Sequence, residues 1–237
     1  MKRRRRARGL FVTGTDTGVG KTMVACALAA WAHRCGLDVG VMKPVATGGR
    51  RLGGRWVSED AVQLARAAGR ADPWAFINPV CFREPLAPWT AARRARQPIQ
   101  LSTILAAFAQ LAARHDFVIV EGIGGLLVPL TARLMVADLA AQMALPLVVV
   151  ARPGLGTLNH TLLTLEEARR RGLNVRAVIL NHAEPPPRAP MARLAEATNP
   201  NVLRRWTHVP VYGPLPFRVG GRSRIFFPEY LAKSLLS

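Results

Sequence analysis

Short runs of uninterrupted apolar residues alternate along the chain with longer segments whose apolar positions recur every three or four residues. The runs at 10–13, 39–42, 117–120, 145–150 and 175–180 read as strands, and a weaker one near 209–212 reads as a last strand that closes the sheet. Helical spacing covers 21–35, 59–68, 89–96, 101–114, 157–171 and a segment near 135–143. The Gly/Arg-rich stretch that follows the second strand, through residue 55, reads as a loop, as does the Pro-rich stretch at 185–187. Strands that are apolar on both faces, instead of alternating, suit a parallel sheet covered by helices on each side. The expected fold is therefore α/β, a mostly parallel sheet flanked by helices on both faces. With no internal repeat and no long linker, residues 9–237 read as a single domain behind a basic arm over residues 1–8.

Composition narrows this picture only a little. The chain has 237 residues, is 50% hydrophobic and 20% charged, which is the make-up of a folded domain with a sizeable core. The longest apolar stretch, residues 23–32, is about half of the ~20 residues that a membrane span needs. The apolar segment behind the arm breaks at Thr13 and Gly14, too early for a secretory leader. Three cysteines without C-x-x-C spacing offer neither a disulfide framework nor a zinc knuckle, so a reduced cytoplasmic setting is expected.

The net charge of +19 has two readings. It is a polyanion-binding surface, or it is an Arg-rich compositional bias spread along the chain. Apart from Lys2, Arg3, Arg4, Arg5, Arg6 and Arg8, the excess is dispersed, which favours the second reading and argues against nucleic acid as a partner. Of the 33 basic residues only Lys2, Lys21, Lys43 and Lys233 are lysines. The two internal ones therefore mark places where a compact, flexible ammonium is wanted in place of a planar guanidinium.

Chemistry enters with TGTDTGVGKT, Thr13 to Thr22, between the first strand and the first helix. A glycine-rich turn there wraps backbone N–H groups around phosphate oxygens and aims a helix N-terminus at the same anion. Lys21 would reach the terminal phosphates and the Thr22 hydroxyl would face Mg²⁺. The strict G-x-x-x-x-G-K-[ST] spacing is not met, since Thr15 stands at its first glycine, so this is a variant P-loop and the fold expected is P-loop NTPase-like. In partition and septum-positioning ATPases the loop carries a second lysine, where this chain has Asp16.

Two further strand ends carry charge. Glu121 follows the apolar run at 117–120 and precedes Gly122, Ile123, Gly124 and Gly125. A carboxylate at the carboxyl end of a parallel strand sits where doubly wound folds bind ligands and suits a hard cation; the alternative is an ordinary solvent-facing strand end and turn. Lys43 ends the second strand in the same way, either over the same edge as Lys21 or as a surface lysine. Asp60, in Ser58-Glu59-Asp60, reads unaided as an acid in the first turn of a capped helix.

Taken in order, TGTDTGVGKT, KPVATG at 43–48, SEDA at 58–61, VEGIGG at 120–125, GTLNH at 156–160 and ILN at 179–181 resemble the dethiobiotin synthetase family over residues 10–217. The resemblance implies a homodimeric P-loop ligase. Such an enzyme makes dethiobiotin from 7,8-diaminononanoate (diaminopelargonate), CO2 and MgATP through a carbamate and its mixed anhydride with phosphate. It implies Lys21 and Lys43 as the catalytic cations and Thr22, Asp60 and Glu121 as Mg²⁺ ligands. Thr17, Gly18, Val19, Gly20, Met23, Gly122 and Gly124 would line the nucleotide, with Asn181 reading adenine and Pro216 in a matching nucleotide segment. Thr47 would face the diamine, while Gly156, Thr157 and Asn159 would receive the substrate carboxylate across the dimer interface. Gly18 stands where some members carry Glu, and Trp89 where a histidine is expected. A related amidating ligase would need a glutaminase domain, for which too few residues follow Asn181, and a DNA- or membrane-associated ATPase switch is disfavoured by Asp16.

Overall fold

In the computed structural model, which describes residues 7–69, 72–217 and 228–236, six parallel strands form the central sheet. In chain order the elements begin β1 (Gly9–Gly14), α1 (Lys21–Arg34), β2 (Val39–Met42), β3 (Val45–Ala46), β4 (Arg50–Leu52), β5 (Arg55–Val57) and α2 (Glu59–Ala68). There follow α3 (Trp74–Ile77), β6 (Val80–Cys81), α4 (Pro88–Arg94), α5 (Leu101–Arg114), β7 (Phe117–Gly125) and α6 (Val136–Met143). The chain continues through β8 (Leu147–Ala151), α7 (Thr157–Arg170), β9 (Val175–Asn181), α8 (Pro190–Trp206), β10 (Val211–Leu215) and α9 (Glu229–Leu236). Most of the arm expected over 1–8 lies outside the described residues. Among those described, no helix is long and apolar enough to cross a membrane.

The sheet order is β10-β9-β8-β1-β7-β2, with every neighbouring pair parallel. Side chains alternate between two buried layers as the strand pleat requires. Leu10, Val12, Ile119, Val148, Val150 and Ile179 pack under α1, α2 and α9. Phe11, Val118, Val120 and Leu147 pack under α5 and α6, and Val149, Val178 and Leu180 under α7 and α8. Both faces being covered explains why the strands read as continuous apolar runs. After β1 the chain leaves to the α1 face, and after β7 it leaves to the α6 face. Between these adjacent strands a crevice opens at their carboxyl ends, where doubly wound sheets bind ligands.

Several boundaries differ from expectation. The loop expected before residue 55 contains an antiparallel hairpin, β4–β5, in which Arg51 faces Trp56 and Gly53-Gly54 form the two-residue turn. Both glycines have positive φ, 55° and 79°, the conformation that a tight hairpin turn demands. The strand expected at 117–120 continues to Gly125 in place of a turn. Val12 pairs with Glu121 but Gly14 pairs with Gly125, so β7 bulges over Gly122–Gly124 without leaving the sheet. Asn181 is the last residue of β9 and not beyond it. The last strand runs over Val211–Leu215 and forms an edge, where Pro214 deprives no neighbour of a hydrogen bond.

Helix α8 has no counterpart in the sequence reading, and it contains two prolines, Pro190 and Pro200. Pro190 occupies the first turn, where an N–H has no intrahelical partner. Pro200 is buried inside the helix, next to Asn199, whose side-chain amide donates to the carbonyls of Pro153 and Gly154.

Candidate active site

The phosphate loop connects β1 to α1 and ends at Gly20, which caps the helix with φ 90°. A Cβ on Gly20 would lie 2.1 Å from Asn181 Nδ2, so only glycine lets the loop rest against the end of β9. Asn181 is fully buried; its Nδ2 donates to the Val19 carbonyl at 3.0 Å, and its Oδ1 has no partner. The Lys21 ammonium donates to the carbonyl of Asp16 at 2.8 Å, folding back over its own loop. The Asp16 carboxylate takes the Thr17 N–H at 2.7 Å and pairs with Arg152, at the end of β8, at 2.8 Å.

Because β7 lies between β1 and β2, Glu121 sits between the two internal lysines. Lys43 follows directly on β2, and its ammonium, 4% exposed, contacts Glu121 Oε1 at 2.6 Å, Asp60 Oδ2 at 2.8 Å and the Gly122 carbonyl at 3.2 Å. The Thr22 hydroxyl, in the first turn of α1, donates to the same Glu121 Oε1 at 2.8 Å. Asp60 is at once a first-turn acid of α2, whose N-cap Ser58 accepts from Ala61 N–H, and a partner of Lys43. The first-turn position thus does not keep Asp60 from facing the cleft.

Burial alone would lower the Lys43 pKa, but the carboxylates of Glu121 and Asp60 hold it above the ordinary lysine value, so this ammonium stays charged. Burial raises the Asp60 pKa less than Lys43 and the Thr22 hydroxyl lower it, leaving it below the usual carboxylate range. Full burial pushes Glu121 up against the pull of Lys43. Lys21 differs: burial, then repulsion from Lys43, pushes it down to about 8.

A cleft of about 690 Å³ gathers Thr17, Gly18, Gly20, Lys21, Thr22, Lys43, Thr47, Asp60, Glu121 and Gly124 from the expected set. Gly122 contributes the carbonyl that Lys43 donates to, while Val19 is buried beneath the loop and Met23 is half-buried in α1. A second cleft of about 500 Å³ adjoins at Gly18 and is lined by Asp16, Arg152, Thr157, His160 and Asn181. Gly156 and Asn159 are exposed at the start of α7 and line neither cleft, and Pro216, exposed just after β10, does not line them either. Trp89 is 38% exposed beside a smaller apolar hollow on α4 and is absent from the main cleft, which Pro85, Leu86, Ala87 and Pro88 wall instead.

Two contributors have no sequence signal. Asn78 is buried; its amide donates to the carbonyls of Lys43 at 2.8 Å and Val80 at 3.2 Å, and its Oδ1 accepts from Ser58 N–H at 3.0 Å. It thereby ties the Lys43 segment to the N-terminus of α2, which carries Asp60. Arg152, one of 29 arginines by sequence, reaches the phosphate loop only through the β1–β8 pairing.

The site fits a divalent cation. Among the described residues no three His, Cys, Asp or Glu side chains converge on one point. Yet two carboxylates and a hydroxyl meet beside the loop, and the buried Oε2 of Glu121 has no partner. A few protein oxygens completed by water and phosphate are how Mg²⁺ is commonly held.

Fold and site together define a P-loop nucleotide-dependent protein, and a family model described as an AAA domain matches residues 8–219. Among solved structures, a ParA family ATPase from Chlorobium tepidum TLS superposes with a TM-score of 0.54 at 14% identity, covering 97% of each chain. The signal recognition particle receptor FtsY from Elizabethkingia anophelis gives 0.51 at 16% identity, covering all of this chain and 67% of that one. These two speak for the fold alone. The ATP-dependent dethiobiotin synthetase BioD of Anaeromyxobacter dehalogenans (strain 2CP-C) is 50% identical over 205 residues, 84% of this chain and 90% of that protein. Those of Aromatoleum aromaticum and Thermodesulfovibrio yellowstonii are 43% and 39% identical, over 90% and 88% of this chain. The chain belongs to the dethiobiotin synthetase family, ATP-dependent ligases of biotin biosynthesis.

Proposed function

We propose that the main cleft joins CO2 to 7,8-diaminononanoate and closes the ureido ring of dethiobiotin at the expense of ATP. The observation that carries this reading is the pair of buried ammonium groups, Lys21 and Lys43, flanking Glu121 at the mouth of the phosphate loop. The chemistry must bring two anions together, a carbamate and the γ-phosphate, and fixed positive charge where they meet lowers that barrier. One amine adds to CO2 and loses a proton, giving the carbamate. Its oxygen takes the γ-phosphoryl group and ADP leaves. The second amine then attacks the carbonyl carbon, the carbon–oxygen bond to phosphate breaks, and the amine proton is released.

In this reading Lys21 leaves the Asp16 carbonyl for the phosphates, and Lys43 faces the carbamate. Thr22, Asp60 and Glu121 would hold Mg²⁺, which supplies charge neutralisation between phosphate oxygens. Asn181 presents only its Oδ1, since Nδ2 is taken by Val19; a lone acceptor suits the exocyclic amine of adenine. Thr47 lies on the diamine side of the cleft. Gly156, Thr157 and Asn159 would serve the partner protomer's substrate carboxylate, in keeping with their place outside this chain's main cleft. The adjacent Leu155, 87% exposed, suits a buried interface. Sedimentation as a monomer would sink that part of the proposal. The three free cysteines accord with action in the reducing cytoplasm.

The deciding experiment incubates the protein with MgATP, bicarbonate and the diamine, reading products by mass spectrometry and released phosphate in parallel. Dethiobiotin formed one-to-one with phosphate is expected; ATP hydrolysis without a new product would overturn the assignment.

A pH prediction follows from Lys21. Between about 8 and the ordinary lysine value of 10.5, the unfolded chain holds this proton and the folded chain does not. That contribution to stability therefore rises with pH across the window. Bound phosphate restores the charge, so MgATP binding at pH 8.5 should take up a proton, and KM for ATP should rise above pH 8. Calorimetry in two buffers of different ionisation enthalpy reads the uptake directly, and binding with no proton exchange would show that Lys21 does not meet the phosphates.

A further inference from the structure

We propose that Arg152 is a nucleotide-binding residue, parked on Asp16 until the phosphate chain arrives. The inference rests on the P-loop reading of the site and adds a residue to it. Arg152 follows β8, the strand beside β1, so its guanidinium comes in over the phosphate loop from the side opposite Glu121 and Lys43. It pairs with Asp16 Oδ2 at 2.8 Å, with the two side chains 57% and 51% exposed. It lines the second cleft together with Gly18 of the loop and Asn181, whose unpartnered Oδ1 is fully buried there. The two clefts meet at Gly18. A nucleotide with its terminal phosphates at Lys21 and its base in the second cleft must run past Arg152.

Charge and chemistry agree with this path. An exposed ion pair is weak, because water and salt compete for both groups. A phosphate offers the same guanidinium two parallel charge-assisted hydrogen bonds. Asp16 need not follow, since its Oδ1 remains engaged by the Thr17 N–H. The position at which switch ATPases carry a lysine is thus occupied here by an acid that holds a basic group contributed by the same chain. Because Arg152 stands on the nucleoside side of the loop, its contact falls on the α- and β-phosphates.

The test compares Arg152→Ala, Arg152→Lys and Asp16→Asn by calorimetric titration with MgATP and MgADP, with melting temperatures recorded alongside. Arg152→Ala should bind ATP and ADP about tenfold more weakly, the size of one hydrogen bond lost to a charged group. KM for ATP should rise while kcat and KM for the diamine stay near wild type, and lysine should recover part of the loss. Asp16→Asn, which still accepts from Thr17 but releases Arg152, should bind nucleotide at least as tightly as wild type. If the pair is a structural staple, Arg152→Ala and Asp16→Asn will weaken binding alike and lower the melting temperature together, and the proposal fails. It fails also if Arg152→Ala binds like wild type, or if the loss is confined to ATP. Wild-type protein that binds no MgATP would instead overturn the P-loop reading beneath it.

Discussion

Replacing Lys43 by arginine should reduce turnover about 10²–10³-fold, the loss typical of removing one preorganised donor from developing charge, while MgATP still binds. The ammonium of Lys43 is enclosed by Glu121 Oε1, Asp60 Oδ2 and the Gly122 carbonyl, all within 3.2 Å. Three acceptors around a point enclose a compact ammonium, which turns one N–H from them to face a carbamate; a broad planar fork cannot take the same position between them. Arginine keeps the charge that neutralises buried Glu121 and half-exposed Asp60, so the fold should survive. Lys43→Met, in contrast, strands Glu121 without a cation and should lower stability by about 3–5 kcal/mol. Single-turnover measurements with saturating diamine, alongside nucleotide titration, separate the two effects. Near-normal turnover in the arginine variant would show that Lys43 neutralises the carboxylates and does nothing more.

Glu121 carries the second large effect. It is fully buried, accepts from both Lys43 and Thr22 through one oxygen, and leaves the other oxygen without a partner. Glu121→Gln keeps the shape and an acceptor for Lys43 but removes the charge that would meet Mg²⁺. Turnover should fall about 10²-fold or more, and the Mg²⁺ concentration for half-maximal rate should rise. Glu121→Ala also leaves Lys43 with the half-exposed Asp60 as its one carboxylate partner beside the Gly122 carbonyl, and opens a cavity. It should cost about 3 kcal/mol or more, a melting temperature lower by roughly 6–12 °C. A glutamine variant with an unchanged Mg²⁺ dependence would remove Glu121 from the metal site.

Much of this site was legible in the chain before folding was considered. The phosphate loop announces itself because its chemistry is local: glycines, a lysine and a threonine must fall within one turn between a strand and a helix. The scarcity of lysine marked Lys21 and Lys43, and both are buried at the cleft. Asp60 was less legible, because an acid in a first helical turn has an ordinary explanation, which the Ser58 cap also satisfies. Asn78 and Arg152 gave no signal, since an asparagine after a short helix and one arginine among many are common in any sequence. Helix α8 was not read from the sequence at all; in the structure the missing N–H of Pro190 in its first turn costs nothing, and Asn199 anchors the helix beside Pro200 to carbonyls far away in sequence.

By itself, then, the sequence determined the succession of the six sheet strands and of most helices between them, the covering of both sheet faces and the phosphate loop. Each depends on residues within a few positions of one another, where periodicity and backbone preference act. Only the tertiary structure decided that β7 inserts between β1 and β2, bringing Glu121 to Lys43 across 78 positions, and that Arg152 reaches Asp16 across 136. Such contacts follow from the strand order of the sheet, which is selected by how both apolar faces are buried at once and leaves no trace in local spacing.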